Sequence, residues 1–155
     1  MKRIYIDMDQ TLCNFKKAAE EEAVRATILS ERDHPQSKIG FFLFLEPIEG
    51  AIESVRALEK QYDVWILSRP SFHNVHCYTE KALWIQRHLG FEMQKKLILC
   101  GNKSLVKGDY LIDDSKRDGQ TEFEGKHMWF GSKEYPDWKS VIDELIPQSD
   151  AKGNI

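Results

Sequence analysis

The chain is short of the features that mark secreted, membrane-bound or polyanion-binding proteins. Its 155 residues include only three cysteines, Cys13, Cys77 and Cys100, odd in number and with no paired spacing. That argues against a disulfide framework and for a reducing compartment. No apolar run reaches the length of a membrane span, and no signal-peptide core precedes the first hydrophobic segment, which follows Met1-Lys2-Arg3 at once. A cytoplasmic location without a membrane partner is the expectation. Excess charge is lacking as well: 22 basic against 25 acidic residues leave a formal charge of −3. No broad field therefore favours a nucleic acid polymer or an anionic membrane. Internal repeats and low-complexity linkers are absent too. The length suits one domain with a proper buried core.

What is present is an alternation of short apolar runs and amphipathic stretches. Ile4–Ile6, Val64–Leu67, Leu97–Leu99, Tyr110–Ile112 and His127–Phe130 read as strands. Helices are expected from Phe15 to about Leu29, from Ala51 to about Lys60, over Thr79–Leu89 and over Trp138–Ile146, the last N-capped by Asp137 and ended by Pro147. Strands alternating with helices imply an α/β fold of three α/β/α layers around a mainly parallel sheet. The stretch between Asn14 and Leu45 interrupts the alternation with a helix, a polar break over Ser30–Ser37 and an aromatic cluster. We expect a small helical cap over 14–45, inserted after the first strand, a catalytic core from 1–13 and 46–147, and a disordered tail over 148–155.

The chemistry collects at strand ends. The first strand stops on Asp7-Met-Asp9 and a late one on Asp113-Asp114. Two carboxylates about 4 Å apart repel by roughly 4 kcal/mol at an effective dielectric near 20. Bringing both pairs together calls for a divalent cation among them. Magnesium, which prefers oxygen ligands and substrate phosphate, suits that role. Asp7 then reads as a nucleophile toward phosphorus and Asp9 as the acid and base that serves the leaving oxygen and water. Ser68 closes another apolar strand and offers a hydroxyl to phosphoryl oxygens. Lys103 offers positive charge. One of Asp113 and Asp114 is expected on the metal, the other orienting a water or Lys103.

This set resembles the haloacid dehalogenase superfamily of aspartate-nucleophile phosphatases through Asp7-Met-Asp9-x-Thr11, Ser68, Lys103 and Asp113-Asp114. More narrowly, the chain is similar to the 5'(3')-deoxyribonucleotidases. That resemblance rests on Asp-Met-Asp-x-x-Leu-x-x-Phe (Asp7 to Phe15), Phe-x-x-Leu-Glu-Pro-x-x-Gly (Phe42 to Gly50), Tyr78-x-Glu80-Lys81-x-x-Trp84 and the run from Lys103 to Asp114. It implies a Rossmann-like core, a magnesium cofactor, an aspartyl-phosphate intermediate and a small phosphomonoester substrate, a nucleoside monophosphate first. The resemblance makes Asp7, the Asp9 backbone carbonyl and Asp114 the metal ligands, with Asp113 in support. Ser68 and Lys103 become the phosphate-binding pair, Arg69 and Lys81 fall near the phosphate, and Phe15 falls against the nucleobase. Gln10 and Thr11 depart from the small-then-apolar pair usual in the family, and the cap is shorter than in the animal enzymes. Two alternatives stay open on the residues alone: a phosphatase for another small ester such as a sugar phosphate, and a magnesium-binding module without turnover. So small a cap also leaves a homodimer open.

Overall fold

Five short apolar runs pair side by side, all parallel. Numbered along the chain, they are β1 (Arg3–Ile6), β2 (Asp63–Ser68), β3 (Leu97–Leu99), β4 (Tyr110–Asp113) and β5 (Lys126–Trp129), in the sheet order β3-β2-β1-β4-β5. The computed structural model describes residues 1–29 and 34–148. The expected break over residues 30–33 and the tail from 149 onward lie outside the described residues. The helices are α1 (Phe15–Ile28), α2 (Ala51–Leu58), α3 (His76–Leu89), the short α4 (Phe91–Gln94) and α5 (Trp138–Leu145). Among the described residues no helix is long and apolar enough to cross a membrane.

Side-chain alternation along the strands divides the core in two. Ile4, Ile6, Val64, Ile66, Ile112 and Met128 point to one face, where Val55 and Leu58 of α2, Trp84 and Ile85 of α3, and Val141 and Leu145 of α5 cover them. Tyr5, Leu67 and Leu111 point to the other. That second layer is thin. Beside the two 3-10 turns Lys103–Leu105 and Gln120–Glu122, its cover is Phe123 and the half-buried Val106. Because both faces are covered, the strands read as nearly unbroken apolar runs. Each fully buried Ile or Val contributes roughly 1.5–3 kcal/mol.

Helix α3 starts at His76, three residues before the expected Thr79. The cause is Asn74, whose side-chain oxygen accepts the His76 N–H (3.1 Å) while its carbonyl accepts the Cys77 N–H (3.0 Å). This turn chemistry draws His76 and Cys77 into the helix. The four-residue α4, not anticipated from sequence, follows Gly90 directly.

Between β1 and α2 the chain runs through α1 and the 3-10 turns Pro35–Ser37 and Phe41–Phe44. This insertion is fastened to α3 at several points. The buried Glu80 carboxylate accepts the backbone N–H groups of Gly40 and, at 3.3 Å, Phe42. The Trp84 indole N–H donates to the Leu45 carbonyl at 2.8 Å. Asn74 donates to the carbonyls of Gln36 (3.0 Å) and Lys38 (3.3 Å). Gly40 sits at φ +90°, a left-handed conformation open to glycine, which turns the chain into the Glu80 carboxylate.

Candidate active site

The strand order reverses between β1 and β4, and in open parallel sheets ligands bind outside the carboxyl ends of strands at such a switch point. Here β1 runs out into Asp7 and β4 ends on Asp113. The Asp7 N–H donates to the Ile112 carbonyl at 2.9 Å, which seats the first carboxylate beside the second. Oxygens of Asp7, Asp113 and Asp114 all lie within 4.8 Å of one another.

Lys103 enters from the thin second layer. Its ammonium donates to Asp7 Oδ1 at 2.7 Å and Asp113 Oδ2 at 2.5 Å, with the lysine almost wholly buried. The turn that presents it depends on close backbone approach. The Lys103 N–H donates to the Asp118 carbonyl at 2.7 Å. A Cβ on Gly119, itself at φ +89°, would lie 2.1 Å from Asn102 Oδ1. Burial alone would pull the Lys103 ammonium down. The Asp7 and Asp113 carboxylates overcome that and hold its pKa above the ordinary value.

Asp113 has both oxygens engaged: Oδ2 also accepts from Gln120 Nε2 (3.1 Å) and Oδ1 from the Ser115 N–H (2.8 Å). Two side chains of β5, spaced by two and so on one face, hold the backbone of the acidic pair. His127 Nε2 lies 3.1 Å from the Asp113 carbonyl, and the Trp129 indole N–H donates to the Asp114 carbonyl at 2.9 Å. Burial lowers the His127 pKa, and because a carbonyl can only accept, Nε2 carries a proton. Burial first, then the charge of Asp7, pushes Asp113 up to about 6 and Asp114 up to about 8.

Asp9 turns away from this cluster. Its Oδ2 accepts from Lys81 Nζ at 2.9 Å, and its Oδ1 lies 3.7 Å from the Cys13 thiol. Lys81 itself is completely buried on α3. Ser68 is likewise fully buried, and its Oγ accepts from Lys81 at 2.7 Å. Cys13 is a buried thiol whose pKa is raised well above its usual value, chiefly by burial, which disfavours the nucleophilic thiolate.

Above the carboxylates lies a cavity of about 340 Å³ whose floor includes Asp7, Asp9, Lys103 and Asp114. Phe15 and Arg69 line it as well. Phe15 meets Phe41 edge-on (centroids 5.3 Å apart) and Phe42 at 6.2 Å. Arg69 is half exposed on the rim, 3.4 Å from Asp118 and 5.0 Å above the Phe72 ring. Sequence reasoning missed Gln36, Phe42, Phe72 and His73 on the same walls. Phe42 has two parts to play: it is buried among the cap's aromatic residues and it lines the cavity. Gln10 adopts φ +60°, where a small residue is the easier fit, and its side-chain oxygen accepts the Lys16 N–H at 2.8 Å. That explains how glutamine serves at a position where the resembling family has a small residue.

The donor set suits a hard divalent cation. Fully ionised, three carboxylates and one ammonium would leave two negative charges uncompensated in a largely buried space, which is why Asp114 holds a proton up to about pH 8 without a cation. The oxygens not consumed by protein donors belong mainly to Asp7 and Asp114. Among the described residues this is the acidic cluster with metal-binding geometry.

A family model described as 5' nucleotidase, deoxy (pyrimidine), cytosolic type C protein matches residues 30–137. The chain belongs to that family. It is accordingly a phosphoric monoester hydrolase of the haloacid dehalogenase-like fold. A candidate 5'(3')-deoxyribonucleotidase of Vibrio phage KVP40 is 36% identical over 146 residues, which are 94% of this chain and 85% of the phage protein. The human cytosolic-type 5'(3')-deoxyribonucleotidase is 37% identical over 105 residues, 66% of this chain. That match spans 47% of the human protein, so the chain corresponds to about half of it. In fold, the chain is similar to the candidate HAD-hydrolase YfnB of Bacillus subtilis, solved with magnesium, at a TM-score of 0.60. The identity there is 11%, covering 94% of this chain and 98% of the other.

Proposed function

We propose that the chain is a magnesium-dependent 5'(3')-deoxyribonucleotidase that works through an aspartyl-phosphate on Asp7, with deoxyribonucleoside monophosphates as preferred substrates. The observation that carries this reading is the Asp7–Lys103–Asp113–Asp114 cluster on the floor of an aromatic-walled cavity. It supplies a nucleophile, fixed positive charge and a cation site at one point, beneath walls suited to a ring. A volume of about 340 Å³ falls within the range of small-molecule sites. Residues 14–45 serve as the cap and 1–13 with 46–147 as the catalytic core. The free state of Cys13, Cys77 and Cys100 fits work in the cytoplasm.

The carboxylates of Asp7 and Asp114 and the backbone carbonyl of Asp9 would hold magnesium, which when bound neutralises charge between the anionic nucleophile and the phosphoryl oxygens. An oxygen of Asp7 attacks phosphorus as the bond from phosphorus to the sugar oxygen breaks. Asp9 gives its proton to that oxygen, and the nucleoside departs as an alcohol. Lys103 stands against the charge that develops on the phosphoryl group, while Asp113, itself held by Gln120, keeps the ammonium in place. Asp9, now a carboxylate, takes a proton from water as its oxygen attacks phosphorus. The bond to Asp7 breaks, inorganic phosphate leaves, and Asp7 is restored.

The deciding experiment is phosphate release from a panel of deoxyribonucleotides, ribonucleotides, sugar phosphates and an aryl phosphate, with magnesium and with EDTA. Deoxyribonucleotides should rank first in kcat/KM, and EDTA should abolish turnover until magnesium is restored. A sugar phosphate in first place would overturn the substrate assignment. Release from no member, with magnesium still bound, would overturn catalysis.

A further inference from the structure

We infer that Lys81 is a positioning residue for Asp9 and not a ligand of the phosphate; this rests on the phosphatase reading above and refines it. An ammonium has three hydrogens to donate. Those of Lys81 go to Asp9 Oδ2 at 2.9 Å, Ser68 Oγ at 2.7 Å and the Arg69 carbonyl at 2.7 Å. The Phe42 ring covers a further side, with its centroid 5.0 Å from Nζ. The lysine has no exposed surface, and the cavity is not lined by it. Nothing of the ammonium is left for a phosphoryl oxygen unless one of three protein acceptors is stripped of its donor in a buried setting.

What those bonds accomplish is placement. Asp9 keeps about a quarter of its side chain exposed, at 28%, and that part belongs to the cavity floor. Oδ2 tied to Lys81 and Oδ1 beside the Cys13 thiol hold the carboxylate away from the Asp7 cluster. It presents one orientation to a leaving group. Ser68 is set in the same way. Its oxygen accepts from Lys81, so its own hydrogen must point elsewhere. The Arg69 carbonyl fixes the start of the loop that carries Arg69 and Phe72 along the cavity wall. The helix contributes the geometry: Cys77, Lys81, Trp84 and Ile85 form one buried stripe of α3.

A phosphate ligand and a positioning residue for the acid differ in what their loss does. Losing a phosphate contact weakens all phosphomonoesters alike. Losing the anchor of the acid harms substrates according to how much they need a proton on the leaving oxygen. In Lys81→Met, kcat/KM for an aryl phosphate, whose phenolate leaves unaided, should fall by a few-fold. For a deoxyribonucleoside monophosphate, which must leave as an alkoxide or be protonated, the fall should be about 10²-fold. In a cycle with Asp9→Asn, the Lys81 change should add little further loss on the nucleotide, because its partner is already disabled. An equal loss on both substrate types, multiplying in full with the Asp9 change, would overturn the inference and return Lys81 to the phosphate. Circular dichroism melts check folding, and Lys81→Gln takes the place of the methionine variant should that one not fold. A wild-type protein inactive on every ester would refute the phosphatase reading itself, an outcome distinct from equal losses in an active enzyme.

Discussion

Replacing Asp114 by Asn should stabilise the metal-free protein at alkaline pH, although it removes a proposed metal ligand. Asp114 is pushed up to about 8 by burial and by the neighbouring Asp7 and Asp113 charges, against an ordinary value of about 4 in an unfolded chain. Between those two values the folded protein holds the extra proton, so its stability falls as pH rises through the window and the full cost is present above about 8. At 1.36 kcal/mol per unit the whole shift would be worth about 5 kcal/mol. The site opens to solvent on the cavity side and shares its protons with Asp113. Screening and sharing together leave about 2 kcal/mol. For a chain of this size each kcal/mol moves Tm by about 2–4 °C. In EDTA at pH 8.5, Asp114→Asn should therefore melt about 4–8 °C above wild type. The gain should shrink toward nothing as pH approaches 4. Magnesium at a hundred times its Kd should raise the wild-type melting temperature through about 2.7 kcal/mol of linkage and leave the variant unmoved. Circular dichroism melts at half-unit pH steps read both effects. A variant that melts below wild type at pH 8.5 in EDTA, or a gain independent of pH, would refute the electrostatic account.

Asp7→Asn should lower turnover of every substrate at least 10³-fold, since an amide neither attacks phosphorus nor neutralises Lys103; trapping with a fluorophosphate analogue and phosphate-release assays check it. Trp129→Phe removes the donor to the Asp114 carbonyl while keeping an aromatic ring under Lys116, whose Nζ lies 3.8 Å from the ring centroid. Magnesium affinity by calorimetry should weaken about tenfold with the EDTA melting temperature nearly unchanged. Glu80→Ala leaves the Gly40 and Phe42 N–H groups without their acceptor, a cost of about 1–3 kcal/mol. Faster limited proteolysis within 34–45, with the core intact, is the expected readout.

The strand ends were the legible part of this molecule. Runs such as Ile4-Tyr-Ile6 and Leu111-Ile112 are apolar on both faces because the sheet is covered on both. A carboxylate at the end of such a run has no structural reason to be there, so Asp7 and Asp113 announce chemistry directly. The cap's fastening was not legible, since it depends on side chains meeting backbone groups some 40 residues away, as Glu80 meets Gly40. Lys81 shows a signal that was available and unused. It falls on the same helical stripe as Cys77, Trp84 and Ile85, so periodicity places it inside, where a lysine must find partners. The start of α3 was missed because Asn74 extends the helix through its side chain and carbonyl, a local competition that hydrophobic pattern does not register. The thin layer over Leu67 and Leu111 was also hidden, because 3-10 turns lack the periodicity of helices.

Glu80, Lys81 and Trp84 occupy barely more than one turn of the same helix, yet the first and last hold the aromatic wall and the middle one holds Asp9. Wall and Asp9 carboxylate are thus both anchored to the same helix. One helix therefore sets the spacing between the two. Selection among esters would then work as a fixed gauge of leaving-group length rather than as a jaw that tightens around whatever enters.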